Sequence, residues 1–154
     1  MYRTNKRHID LVNDLIATML DSAEGYREAA AEAQNPHFKA LFEKRAAQRR
    51  QMTGELRSEV RNLGGKPEDD GTILAAAHRM FLSLKNSLAG NDQSVVEEVE
   101  RGEDHIKAKF ESALRDENLP APVKATLARA YAAIKSDHDQ MRDLKRQLAF
   151  HVVS

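Results

Sequence analysis

Three interruptions constrain this chain more than any single residue does: Asn35-Pro36, Gly64-Gly65 and the run Asn118-Leu119-Pro120-Ala121-Pro122 separate long stretches in which apolar residues recur every three or four positions. That spacing is the signature of amphipathic helices burying one face. The first stripe runs Ile9, Val12, Ile16, Met19, Ala23, Tyr26, Ala30, in a helix expected to begin near Thr4 or Asn5 and to stop at Gln34-Asn35-Pro36. The second carries Phe38, Leu41, Phe42, Met52, Leu56 and Leu63 up to Gly64-Gly65, with Arg45, Gln48 and Arg49 standing where apolar residues are expected. A third, from about Asp92 to Glu117, has Val96, Val99, Ile106, Phe110 and Ala113. The fourth has Leu127, Tyr131, Ile134, His138, Met141 and Leu148. Between the second and third, a shorter amphipathic segment from Thr72 to about Leu88 ends at Ala89-Gly90-Asn91-Asp92. One helix over residues 72–117 would be ~69 Å long, against ~45 Å for its neighbours, so a break there is physically sensible.

Short turns force the helices they join to pack as antiparallel hairpins. Two hairpins linked by one long crossover containing a short helix is the connectivity of a ferritin-like four-helix bundle, an all-α fold. The aromatic content of 5% and the scattered β-branched residues argue against a sheet. At 154 residues, a single domain over 1–154 is the default.

The charges bound the partners. Lys plus Arg and Asp plus Glu number 24 each, so the net charge is zero and no basic surface for nucleic acid or an anionic membrane is implied. Without cysteine there is no disulfide, thiolate nucleophile or cysteine-ligated metal. No run nears the ~20 apolar residues needed to span a bilayer, and Met1 to His8 is not followed by an apolar signal region, so the expectation is a soluble cytoplasmic protein. The sequence has no Gly-rich phosphate loop, nucleophile elbow or Ser/His/Asp order. The methionines at helical spacing read as core filler and not as haem ligands.

Function is sought in polar residues on core-facing stripes. Glu103 lies on the stripe between Val99 and Ile106, and a buried carboxylate needs a metal, a cationic partner or a shared proton. Glu24, Gln48, Glu103 and His138 all fall near the middle of their helices. A ferritin-type di-iron centre takes one Glu from each of two helices and a Glu-x-x-His pair from each of the other two. Here Gln48 and Gln51 replace Glu and His, and Lys135 precedes His138, so the full set is absent and an enzyme is disfavoured. Two readings are open. Glu24, Glu103 and His138, with Gln48 and Glu100 as secondary candidates, could hold one iron or zinc ion; or Arg45 or Arg49 neutralises Glu103 or Glu24 as a buried ion pair. Gly102 is expected to let a neighbouring helix approach closely. His8, His37, His105 and His151 fall at helix ends or on polar faces, and His78 flanks the crossover helix's apolar side.

The runs Asn13-Asp14-Leu15-Ile16, Glu24-Gly25-Tyr26-Arg27-Glu28-Ala29-Ala30, Glu59-Val60-Arg61-Asn62-Leu63-Gly64-Gly65-Lys66-Pro67, Glu100-Arg101-Gly102-Glu103-Asp104 and His138-Asp139 resemble an uncharacterised bacterial family of ferritin-like four-helix-bundle proteins, a domain of unknown function. The resemblance implies the fold over nearly the whole chain and assigns no reaction. It puts Glu24, Glu103 and His138 within recurring motifs. The functional expectation is a ferritin-like bundle with a metal- or stress-related role, the alternative a non-catalytic structural or interaction bundle. Either could self-associate as a homodimer.

Overall fold

The structure, a computed structural model, describes residues 2–68 and 91–153, with side chains over 5–68 and 91–149. Four helices lie among the described residues: α1 (Tyr2–Glu32), α2 (Pro36–Asn62), α3 (Asp92–Leu114) and α4 (Ala121–Val153). The expected crossover helix at Thr72 to Leu88 falls outside the described residues.

Each boundary follows from local chemistry. α1 begins at Tyr2, two residues before the expected Thr4. Asn35 caps α2, its side chain accepting the His37 N–H at 2.8 Å, and Pro36 takes the first position, where a missing N–H costs nothing. α2 ends on Gly64 at φ +88°, with Gly64 N–H donating to Arg61 O and Gly65 N–H to Val60 O, both at 2.9 Å. These two bonds satisfy the last carbonyls, and only glycine adopts that φ without strain. A Cβ on Gly65 would stand 2.7 Å from Ile9 Cγ2, so this glycine is also what lets the turn seat against α1. α3 stops at Leu114 instead of the expected Glu117, and Asp116 then accepts the Asn118 N–H at 2.9 Å to turn the chain toward α4.

The hairpins α1–α2 and α3–α4 pack with α1 on α3 and α2 on α4. Polar contacts tie them at both ends. Asp92, at the start of α3, accepts the backbone N–H of Gln34 at 2.7 Å and of Asn35 at 2.9 Å. At the other end, Arg7 donates to Asp116 at 2.8 Å, while within the first hairpin the Asn13 amide donates to Lys66 O and accepts the Glu68 N–H.

The core is split in two. One apolar cluster gathers Leu15, Ile16, Met19, Leu56, Val60, Ile106, Phe110, Leu127 and Ile134 among others. A second gathers Tyr26, Ala29, Phe42, Ala46, Val96, Val99 and Met141. On every helix the gap between them falls at the same height: after Leu20 on α1, before Leu56 on α2, between Val99 and Ile106 on α3, and between Ile134 and Met141 on α4. Apolar side chains here would each contribute about 1.5–3 kcal/mol by burial, so whatever replaces them must satisfy itself by pairing.

Two local expectations are corrected, and one histidine is found in the core. Gln48 is exposed, because it lies about 100° round α2 from the buried Arg49. Gly102 is exposed, with nothing within 4 Å of where a Cβ would stand, so it admits no close helix approach. His8 is buried at 1% exposure, its Nε2 3.6 Å from Asp116 Oδ2 and its Nδ1 without a hydrogen-bond partner.

Candidate functional site

The layer that fills the gap is ionic. Arg49, fully buried, reaches from α2 across the bundle to Glu103 on α3 in two parallel hydrogen bonds, Nη1 to Oε1 at 2.7 Å and Nη2 to Oε2 at 2.8 Å. The same guanidinium donates to Asp137 Oδ2 on α4 at 3.0 Å and to Ser22 Oγ on α1 at 2.7 Å, so one side chain touches each of the other three described helices. Arg45, one turn away, sets its Nε 3.2 Å from Asp137 Oδ1 and donates to the Tyr26 hydroxyl at 3.3 Å and to Gln140 Oε1. The Tyr26 ring lies beneath both guanidinium groups, its centroid 5.3 Å from Arg49 Cζ and 6.0 Å from Arg45 Cζ.

Two cations thus face two carboxylates, Arg45 and Arg49 against Glu103 and Asp137, and the layer is neutral in itself. Burial disfavours the Arg49 cation, but the charge and hydrogen bonds of Glu103, together with Tyr26 and Asp137, outweigh it and hold its pKa above the ordinary value. Burial pushes the Tyr26 hydroxyl up, and the neighbouring Glu103 charge pushes it further. Both Glu103 oxygens thus accept from the Arg49 guanidinium.

The sequence-derived metal candidates share a height but not a place. Glu103 points inward to Arg49. Glu24 turns to the seam between α1 and α2, where Arg27 Nε donates to its oxygens at 2.9 and 3.0 Å and Arg50 lies 3.4 Å away. Gln48 lines a surface groove between α2 and α4 with Arg129, Ser136 and Asp137. His138 turns to the α3–α4 face, its Nε2 2.5 Å from Asp104 Oδ1 and its Nδ1 3.2 Å from Asp139 Oδ1. Glu100 lies on that face too and accepts from Lys145 at 3.0 Å. Among the described residues, one group of histidine and carboxylate side chains is close enough to share an ion: Glu100, Asp104 and His138, one ligand atom from each within 4.8 Å of the others.

Residues 7–116 match the family described as a domain of unknown function, DUF2383. The chain belongs to that family. The part of this DUF2383 chain that matches carries Glu24, Arg45, Arg49, Glu100, Glu103 and Asp104 and ends before α4, so Asp137 and His138 lie outside it. No curated protein matches the chain in sequence. In fold it is similar to a Dps1 mutant from Mycobacterium smegmatis, with a TM-score of 0.80 at 10% identity, over 94% of this chain and 99% of that one. At that identity the likeness speaks for the ferritin-like four-helix bundle and for nothing further. No described helix is long and apolar enough to cross a membrane.

Sequence reasoning reached Arg49 and Glu103 but passed over Asp137 and Asp104. Asp137 stands three residues after Ile134 and four before Met141, both fully buried, which is as good a core register as His138 has. The two neighbours straddle the stripe: Asp137 faces α2, and His138 faces α3. Asp104 is exposed and carries no periodicity signal; only its i, i+4 relation to Glu100 could have drawn attention to it.

Proposed function

We propose that this DUF2383 protein is a non-catalytic ferritin-like bundle in which an Arg–carboxylate layer occupies the position of an interior metal centre. The carrying observation is the two-point pairing of Arg49 with Glu103, closed off by Asp137 and Arg45. A redox centre needs carboxylates free to take up metal ions, and here each interior carboxylate already answers a guanidinium. Such a layer stabilises little in net terms. Its attested use is to fix register, because a sliding helix would strand a buried charge. A rigid bundle of zero net charge, with no mutual repulsion between copies, suits a self-associating scaffold or interaction partner.

Anaerobic addition of ferrous iron followed by air is the test. The expected outcome is oxidation no faster than in buffer, with Glu103→Gln changing stability but not iron chemistry. Fast, saturable oxidation that Glu103→Gln abolishes would overturn the proposal. Sedimentation at several concentrations checks the self-association.

A metal-related role, through iron or zinc, is the second reading, although Glu24, Glu103 and His138 turn to different seams. The observation favouring a form of it is the meeting of His138 and Glu100 with Asp104 outside the ionic layer.

A further inference from the structure

We infer that Glu100, Asp104 and His138 form a binding site for one divalent transition-metal ion on the α3–α4 face, separate from the interior ion-pair layer. Glu100 and Asp104 lie one helical turn apart on α3, and His138 on α4 faces them. The decisive feature is the pairing of the imidazole. Both ring nitrogens meet carboxylates, Nδ1 with Asp139 and Nε2 with Asp104. A neutral imidazole has a single proton to give. The tautomer whose Nδ1–H donates to Asp139 turns the Nε2 lone pair toward Asp104 and Glu100, where it and the two carboxylates can share one ion.

The surroundings favour the metal. A carboxylate holding the far ring nitrogen is the arrangement that orients metal-ligating histidines, and Asp139 stands in that position. Two carboxylates and one imidazole form a mixed oxygen and nitrogen set suited to Zn²⁺ or Fe²⁺ more than to Mg²⁺ or Ca²⁺. The His138 and Glu100 side chains are 12% and 14% exposed and so held in place, while Asp104 at 56% opens the site to solvent, where water completes the coordination. With metal–ligand distances of ~2.0–2.2 Å, Nε2 and the Asp104 oxygen must part by roughly half an ångström or more, which the exposed aspartate can supply. Lys145, 3.0 Å from Glu100, is the competing cation that metal binding displaces.

Zinc titration of the full chain by calorimetry, after dialysis against chelator, tests the site. One zinc ion per chain is expected, undisturbed by millimolar Mg²⁺. His138→Ala and Asp104→Asn should each weaken binding tenfold or more, Lys145→Met should tighten it several-fold, and Glu24→Gln should leave it unchanged. Asp104→Asn, on an exposed side chain, keeps the fold, and circular dichroism verifies this for each variant. No saturable zinc binding in the wild type, or binding that survives both His138→Ala and Asp104→Asn, would overturn the inference. So would loss of binding in Glu24→Gln.

Discussion

Arg49 and Glu103 meet end to end, with two nitrogens of the guanidinium on two oxygens of the carboxylate at 2.7 and 2.8 Å, in a layer that separates one apolar core cluster from another. Removing Glu103 leaves Arg45 and Arg49 against Asp137 alone, one buried cation in excess. Glu103→Ala should therefore destabilise the protein by about 3–5 kcal/mol, the usual penalty for an uncompensated buried charge. The double variant Arg49→Met with Glu103→Leu should lose much less than the two single variants combined, because Arg45 still neutralises Asp137 at 3.2 Å. Urea unfolding of the four proteins in this cycle measures the coupling directly, and additive losses would mean that the pair is not coupled.

Tyr26 predicts a dependence on alkaline pH. Burial first, and the Glu103 charge second, raise its folded-state pKa above the ordinary phenol value. Above pH ~10 the unfolded chain releases this proton while the folded protein keeps it, so the folded state binds more protons and stability falls as pH rises. Ultraviolet absorbance should show the Tyr26 phenolate appearing only with unfolding. Tyr26→Phe should reduce the alkaline loss of stability, and an unchanged slope would count against this account.

Asp21 works in the opposite pH range. It sits beside a cavity of about 200 Å³ between α1 and α3, its Oδ1 has no hydrogen-bond partner, and burial raises its pKa while His105 partly counters the shift. An acid whose folded pKa is raised favours folding fully below its unfolded pKa, and that contribution is lost as pH rises through the folded value. Asp21→Asn should therefore melt at a higher temperature than the wild type at pH 7, with the difference vanishing on acidification through the carboxyl range. Melting curves across pH 3–7 check both the sign and the range.

What the sequence makes legible is what periodicity encodes. The stripes on α1 and α3 name buried residues such as Val12, Ile16, Met19, Val99 and Phe110, and Asn35-Pro36 and Gly64-Gly65 mark turns that the backbone makes there. The same periodicity points Glu103 inward. It does not resolve neighbours that straddle a stripe: Asp137 and His138 differ by about 100° of helix rotation, and that angle separates the interior layer from the α3–α4 face. Nor does shared height imply convergence. Glu24 and His138 sit level with Glu103, yet each turns to a different seam, a relation set by how the helices rotate about their own axes once packed. His8 reads as terminal and polar, and is buried because the turn after α3 brings Asp116 over it.

Asp92 gives a prediction with a local readout. It opens α3, where a negative charge complements the helix dipole, and its two oxygens take the N–H groups of Gln34 and Asn35 in the turn between α1 and α2. This residue therefore joins the two hairpins at one end of the bundle. Asp92→Ala leaves both N–H groups to water in a partly exposed turn, so its cost should be moderate, on the order of 1–2 kcal/mol. Asp92→Asn keeps one acceptor oxygen and should lose less. Neighbouring Asn91 caps α3 through its side chain, accepting from Gln93 N–H at 2.8 Å, and Asn91→Ala should cost about 1 kcal/mol by a separate route. Amide hydrogen exchange distinguishes the two: Asp92→Ala should speed exchange at Gln34 and Asn35, whereas Asn91→Ala should speed it at Gln93. If Gln34 and Asn35 exchange at the same rate in Asp92→Ala as in the wild type, Asp92 does not hold that turn to α3.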